Sequence, residues 1–212
     1  MKSSYVCLSC CQPFTPSPIR EILEGTPLLC DDCLSKIIIK LEERNTFGFK
    51  TLFLSSYDGI FKTWLMNFKE YGDVVLAPCF LATFLPLIRL RFPGRLFIPL
   101  PSSPDRVKKR GFAHLDLMLS ASHLPFTACL SKGNQEEQKW LSGSRRNAPK
   151  AISVIPATPS LEGKKVVLFD DVFTSGATLK SSYDAILSLH PKQVEGLILM
   201  DNGHTGDQSI QG

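Results

Sequence analysis

Short apolar runs alternate with helical stripes along most of this chain, and their order predicts strands alternating with helices. Leu34 to Arg44 sets Leu34, Ile37, Ile38 and Leu41 at helical spacing and predicts an amphipathic helix, followed by a boundary at residues 45–50. Thr51 to Tyr57 reads as a strand, and Gly59 to Tyr71 as a helix with Ile60, Trp64, Leu65 and Phe68 on one face. Leu76 to Leu90 reads as a further helix interrupted by Pro78 and Pro86. Leu96 to Leu100 is the next strand, followed by a Pro- and Ser-rich loop, a helix around Phe112 to Ser122 and a strand over Phe126 to Leu130. Ser131 to Lys150 is polar and carries neither period. Val166 to Asp170 then predicts a strand, Gly176 to Leu189 a helix and Val194 to Met200 the last strand. This alternation implies an α/β fold built on a mostly parallel sheet flanked by helices.

The richest chemistry follows the apolar run Val166 to Phe169, a short buried parallel strand by its composition. Asp170 and Asp171 fall at its carboxyl end, where open α/β sheets place their ligands. Thr174, Ser175, Gly176 and Thr178 then offer hydroxyls, a flexible backbone and the start of a helix, whose free N–H groups attract an anion. Two carboxylates repel a phosphate unless they face another part of the ligand, and a vicinal sugar diol supplies the donors they accept best. A strand running into a helix N-cap is the plainer alternative, but capping needs one such residue. Gly163-Lys164-Lys165 lacks the Gly-Lys-Ser/Thr pattern of a nucleotide-triphosphate loop and reads as a turn. The stretch resembles the signature of the phosphoribosyltransferases that use phosphoribosyl pyrophosphate (PRPP). That resemblance implies Asp170 and Asp171 on the ribose 2′ and 3′ hydroxyls, with Val172, Phe173, Thr174, Ser175, Gly176, Ala177 and Thr178 cradling the 5′-phosphate.

Cys7-x-x-Cys10 and Cys30-x-x-Cys33, nineteen residues apart, have the spacing of one tetrahedral zinc site. Pro13, Pro16, Pro18, Gly25 and Pro27 between the pairs suit a loop-rich module that the metal closes. The regular spacing favours Cys10 over the adjacent Cys11, which remains a competitor, and disulfides between the pairs are the alternative chemistry. Four thiolates leave no open coordination position, so such a zinc is structural. Cys79 and Cys129 lie among apolar residues and read as buried hydrophobes.

The 212 residues suffice for one medium domain with a small appendage. The division expected is a zinc module with its linking helix over 1–45, an α/β domain over 46–200 and a polar tail over 201–212. No apolar run reaches the ~18 residues of a membrane span, and no signal core precedes Cys7, which predicts a soluble, cytoplasmic protein. The formal charge of +4 falls to about +2 once four thiolates hold a Zn²⁺. The distribution says more: Arg89, Arg91, Arg95, Arg106, Lys108, Lys109 and Arg110 crowd the middle, with Arg145, Arg146 and Lys150 beyond. A pyrophosphate site needs such cations, and so does a surface that tracks a nucleic-acid backbone. His114, His123, His190 and His204 show no partner pattern, and His114 alone adjoins a candidate motif.

Taken in order, the two Cys pairs, Tyr57-Asp58-Gly59, Phe68-Lys69-Glu70-Tyr71-Gly72-Asp73, Ile98-Pro99-Leu100-Pro101, Arg110-Gly111-Phe112, Gln138-x-x-Leu141 and the Asp170-Asp171 loop cover nearly the whole chain. In that order they resemble the ComF family of competence-associated proteins, which join a four-cysteine zinc module to a phosphoribosyltransferase domain of type I-like fold. The chain departs from the common pattern in carrying Ala113-His114 after Arg110-Gly111-Phe112, where the family commonly has Asn-Gln. Its segment before Asn147 is also shorter, so that either Arg145 or Arg146 matches the family arginine. The resemblance implies binding of PRPP with Mg²⁺, pyrophosphate on the loop from Leu100 and Pro101 to Ser102 and Ser103, Arg110 as its clamp, and a hood over Phe126 to Lys150. Asp170, Asp171 and Arg110 are then the candidate catalytic residues. Three activities stay open on the sequence: transfer of phosphoribose to an unknown acceptor, a non-catalytic DNA-uptake accessory protein touching single-stranded DNA and competence-machinery proteins, or a PRPP-responsive regulator.

Overall fold

The computed structural model describes residues 4–24, 26–133, 152–156 and 158–203. The amino-terminal segment folds as a small knuckle: β1 (Tyr5–Val6) pairs antiparallel with β2 (Pro13–Phe14), followed by α1 (Pro18–Glu24) and α2 (Asp31–Leu34). Elements so short cannot bury a core of their own, yet Cys7, Leu29 and Cys33 are buried in the same hydrophobic cluster as the main sheet.

That sheet has five strands in the order β3 (Ile39–Thr46), β4 (Phe49–Ser56), β9 (Gln193–Asp201), β8 (Lys165–Phe173), β5 (Leu96–Pro99). The last four run parallel, and β3 is an antiparallel edge. Val166 to Phe169 and Leu197 to Met200 are fully buried, as strands covered on both faces must be. A two-stranded antiparallel pair, β6 (Leu130–Lys132) and β7 (Ile152–Val154), lies outside the main sheet. The α/β architecture expected from the alternation is the one adopted.

Several boundaries differ from the sequence reading. The linking helix expected over Leu34–Arg44 ends as α2 at Leu34, and Ile39 to Thr46 form β3 instead. Tertiary pairing overrides the helical spacing there, because β3 hydrogen-bonds along β4 and its Arg44 stacks 3.8 Å from the Phe53 ring. The expected boundary at 45–50 is thus a hairpin: Thr46 pairs with Phe49, and Phe47 and Gly48 between them have φ of 54° and 90°. Positive φ at both central residues is what a two-residue hairpin of the primed type requires. The helix expected over Leu76–Leu90 is broken into a 3₁₀ turn at Val74–Leu76, α4 (Cys79–Ala82) and α5 (Leu85–Arg91), with Pro86 in the first turn of α5. Among the described residues no single helix is long and apolar enough to cross a membrane.

The loop expected after β5 contains a helix, α6 (Pro104–Arg110), started by its proline and stopped by Gly111 at φ 87°. α7 (His114–Ala121) follows two residues later than Phe112. Of the strand expected over Phe126–Leu130, Phe126 makes only an isolated bridge to Phe97, and β6 begins at Leu130. β8 continues past Asp170 to Phe173, pairing Asp170 with Ile198 and Phe173 with Asp201, so the acidic pair lies inside the strand. α8 (Ala177–Ile186) ends in a 3₁₀ turn at Leu187–Leu189. Asp201, assigned to the tail by its polarity, closes β9 and is buried against Lys40 and Arg44. Residues 204–212, Gln138, Leu141, Arg145, Arg146, Asn147 and Lys150 lie outside the described residues, as does much of the expected hood.

Helix α3 (Gly59–Glu70) is the bridge between knuckle and sheet. Its N-terminus is capped by Asp58, and Phe61, Trp64, Leu65 and Phe68 form its buried face. Phe61, Trp64, Phe68, Phe80 and Phe84 stack edge-on and face-on with centroids 5.3–6.3 Å apart, within the range of favourable aromatic pairs.

Candidate functional site

The carboxyl ends of β5 and β8 open into a cleft of about 370 Å³. Of the residues singled out in the sequence, Leu100, Pro101, Ser102, Asp170, Asp171, Val172, Thr174 and Thr178 line it. The cleft also holds Lys69 from α3, Arg106 from α6 and His114 from α7, three polar groups to which the sequence pattern assigned no role there. Lys69 sits inside the Phe68-to-Asp73 motif and His114 beside Arg110-Gly111-Phe112, so their neighbourhood was legible even though their partners were not.

Asp171 is 4% exposed, and its carboxylate meets the Lys69 ammonium. Its Oδ2 also lies 3.0 Å from His114 Nε2. Burial acts to raise its pKa, but the contacts with His114 and Lys69 outweigh that and hold it well below the usual carboxylate range. Asp170, next along the strand, is pushed up, first by burial and then by the charge on Asp171, and its Oδ1 accepts from the Asp171 backbone N–H at 3.0 Å. The two neighbours are therefore unlike: Asp171 is a fixed anion, and Asp170 readily carries a proton. Ser102 Oγ lies 3.3 Å from His114 Nδ1, tying the loop after β5 to the same group.

The remaining residues of the expected phosphate loop shape it from outside the cleft. Phe173 packs edge-on against Phe53 at 5.3 Å, and Ser175 accepts from the Ala177 backbone N–H at 3.4 Å. Gly176 caps α8 at φ 71°, and a Cβ there would fall 2.8 Å from ring atoms of both Phe173 and Phe47. Only glycine fits that position. The hairpin turn thus supports the loop through Phe47, a contact between segments far apart in sequence.

Arg110 lines a neighbouring cavity of about 510 Å³ with Lys69, Arg106 and Lys109. Its Nε donates to the Lys69 carbonyl at 3.2 Å, its guanidinium lies 5.8 Å from the Phe112 ring, and burial lowers its pKa. Lys69 and Arg106 line both cavities, so the two form a continuous basic wall.

At the knuckle, the sulfurs of Cys7, Cys10, Cys30 and Cys33 all lie within 4.8 Å of one another. The Cys10–Cys30 separation of 3.7 Å matches the ~3.8 Å edge of a tetrahedron with metal–sulfur bonds of about 2.3 Å. Cys11 is exposed at φ 59° and stands outside the cluster, which leaves Cys10 as its fourth thiol. Burial acts against ionisation of Cys7, but backbone N–H groups of Cys30, Cys10 and Ser9 reach its sulfur and pull its pKa down, as a metal-bound thiolate needs. The four thiols can hold one metal ion.

The phosphoribosyl transferase domain model matches residues 123–211. The competence protein ComFC of Bacillus subtilis is 29% identical over 126 residues, covering 58% of this chain and 52% of that protein. The competence protein ComFC of Streptococcus pneumoniae is 26% identical over 150 residues, covering 71% of this chain and 64% of that one. The matches thus span between about half and two thirds of these relatives. Among solved structures, a purine phosphoribosyltransferase from Pyrococcus horikoshii superposes over 62% of this chain and 85% of its own at 15% identity, with a TM-score of 0.39.

Proposed function

This chain belongs to the ComF family, and from that premise we propose that its central cleft binds PRPP and transfers phosphoribose to an acceptor with release of pyrophosphate. The observation that carries the reading is one 370 Å³ cleft lined by the acidic pair, by hydroxyl-bearing Thr174 and Thr178 and by the cations of Lys69 and Arg106. Asp170 and Asp171 accept hydrogen bonds from the ribose diol, and the loop from Val172 to Thr178, with the first turn of α8, receives the 5′-phosphate. The pyrophosphate lies along Leu100 to Ser103 between Lys69 and Arg106, with Arg110 behind them. In the reaction the bond from the anomeric carbon to the pyrophosphate oxygen breaks, the leaving group takes the electron pair, and the acceptor nucleophile bonds to that carbon and loses its proton. Lys69 and Arg106 stand where negative charge grows on the leaving group.

Two ions enter this reading. Mg²⁺ supplies charge neutralisation on the pyrophosphate. The cleft offers it no ready set of protein ligands, since Asp171 is already paired with Lys69 and His114 and Asp170 readily carries a proton, so Mg²⁺ would enter with the ligand and neutralise its charge there. Zinc would suit the thiols of Cys7, Cys10, Cys30 and Cys33, where it would close the knuckle with no open position for catalysis.

Isothermal titration with PRPP and Mg²⁺, beside the Asp170→Asn/Asp171→Asn double variant, tests the proposal. Binding by the wild type that the variant loses supports it, and an acceptor screen for released pyrophosphate follows. A folded, metal-loaded wild type that does not bind PRPP refutes it. The basic wall shared by the two cavities favours one second reading, an accessory protein that holds single-stranded DNA in DNA uptake. DNA affinity then falls steeply with salt in proportion to the phosphates contacted, whereas a Mg²⁺-bridged PRPP site responds less.

A further inference from the structure

Ser102, His114 and Asp171 form a chain of contacts that the reaction outlined above does not use. His114 is 6% exposed, with Nδ1 3.3 Å from Ser102 Oγ and Nε2 3.0 Å from Asp171 Oδ2. The two atoms face each other without an aligned hydrogen bond in this arrangement, and Oδ2 also meets the Lys69 ammonium, so proximity and charge set which form of His114 fits there. An unprotonated Nε2 there would set a lone pair against a carboxylate in a buried place, so the proton of neutral His114 belongs on Nε2. Nδ1 is then an acceptor, and the Ser102 hydroxyl donates its single proton to it. In that state Ser102, which lines the cleft, presents only lone pairs to a ligand and is a poor partner for an anion.

We propose that His114 is a positioning residue that sets the polarity of the Ser102 hydroxyl: when His114 gains a proton on Nδ1, it donates to Ser102 Oγ and frees the Ser102 O–H to donate into the cleft. One proton passes from solvent onto Nδ1, with no bond to the ligand made or broken. This inference rests on the reading of the cleft as the seat of PRPP and its pyrophosphate.

The groups facing His114 set its balance. Burial disfavours the imidazolium most, Asp171 of β8 favours it, and Lys69 of α3 and Arg110 of α6 disfavour it, for a net lowering. Lys132 of β6 and Arg106 of α6 line the same cleft. Ligand-free His114 is therefore neutral at neutral pH. A pyrophosphate beside Ser102 adds negative charge and draws the proton onto Nδ1, so anion binding and proton uptake reinforce each other.

The test has a ligand-free arm and a binding arm. Nitrogen-15 NMR of the imidazole in the ligand-free protein should show Nε2 protonated and Nδ1 bare at neutral pH. The opposite tautomer, or an imidazolium there, overturns the proposal without reference to any ligand. The binding arm titrates wild type, His114→Gln and Ser102→Ala with magnesium pyrophosphate between about pH 5.5 and 8, the window in which a histidine changes charge. Pyrophosphate's own titration is common to all three. Relative to both variants, wild-type affinity should rise about three- to ten-fold towards the acid end, the worth of one added hydrogen bond. Calorimetry in buffers of different ionisation enthalpy should then show extra proton uptake in the wild type alone. Ser102→Ala leaves the buried imidazole in place and guards against a folding defect in His114→Gln. Parallel pH profiles in all three proteins overturn the role of His114 while leaving the PRPP reading intact. Absence of pyrophosphate and PRPP binding in a folded wild type overturns both.

Discussion

Trp64 of α3 donates its indole N–H to Ser9 Oγ, between the first two cysteines of the knuckle, at 2.8 Å. Five residues further along the same helix, Lys69 meets Asp171 in the cleft. One helix therefore touches both the four-cysteine knuckle and the cleft, and the knuckle is a support for α3. Purified protein is expected to carry about one zinc per chain by elemental analysis. Removing it with a strong chelator should lower the melting temperature by roughly 5 °C or more and weaken PRPP binding. Trp64→Phe, which keeps the ring and loses the donor, should cost about 1 kcal/mol with zinc retained. A chelated protein with unchanged melting temperature and PRPP affinity would show that knuckle and site are independent.

Lys69→Met removes one of the two partners of a buried carboxylate. Asp171 has a folded pKa below its unfolded one, so its stabilising contribution is present above about pH 4 and is lost as pH falls through the folded value. Without Lys69 the folded pKa climbs towards the ordinary range. The variant should lose roughly 1–3 kcal/mol at neutral pH, and its acid unfolding should begin at higher pH than in the wild type. Urea unfolding across pH 3 to 7 separates the outcomes: a uniform offset with no change in slope would place the loss elsewhere.

How much of this was legible in the sequence depended on the range of the interaction. The strand at Val166, the acidic pair and the hydroxyl loop stood out because apolar strand, ligand groups and helix start are contiguous. The cysteine pairs were legible for the same reason, with the regular spacing already favouring Cys10, and the fold sets the competing Cys11 outside the cluster. β3 was misread because Leu34, Ile37, Ile38 and Leu41 fit a helix, and only pairing with β4 decides otherwise. α6 was hidden because Pro101, Ser102, Ser103 and Pro104 together suggest a loop, although Pro104 is the residue that starts the helix. Lys69, Arg106 and His114 come from three different helices, and nothing local joins them to Asp171.

Gly176→Ala tests the support of the phosphate loop by the hairpin. The substitution places a Cβ against the Phe47 and Phe173 rings at a left-handed φ. It should destabilise the protein by roughly 1–3 kcal/mol and, on the proposed reading in which the loop receives the 5′-phosphate, weaken PRPP binding more than that of free pyrophosphate. Phe47→Ala relieves one of the two ring contacts, so Gly176→Ala in that background should recover part of the lost stability. A double variant no better than the sum of the single ones would remove Phe47 from the loop's support.

Asp170→Asn should separate stability from binding. The folded pKa of Asp170 is raised above its unfolded value, so its neutral form favours the fold below the unfolded pKa, and that contribution is lost as pH rises through the folded value. Between the two pKa values the ligand-free fold must keep a proton on Asp170 that the unfolded chain releases, and above the folded value it carries a buried carboxylate. An amide of the same shape cannot ionise, and Asp170→Asn should gain roughly 0.5–2 kcal/mol, with the gain over wild type growing from about pH 5 to 8. The same variant should bind PRPP at least about ten-fold more weakly, because an amide is a poorer acceptor for the ribose diol than a carboxylate. A stabilised protein that no longer binds is the signature of a carboxylate kept for its ligand; a destabilised one would make Asp170 a structural residue of β8.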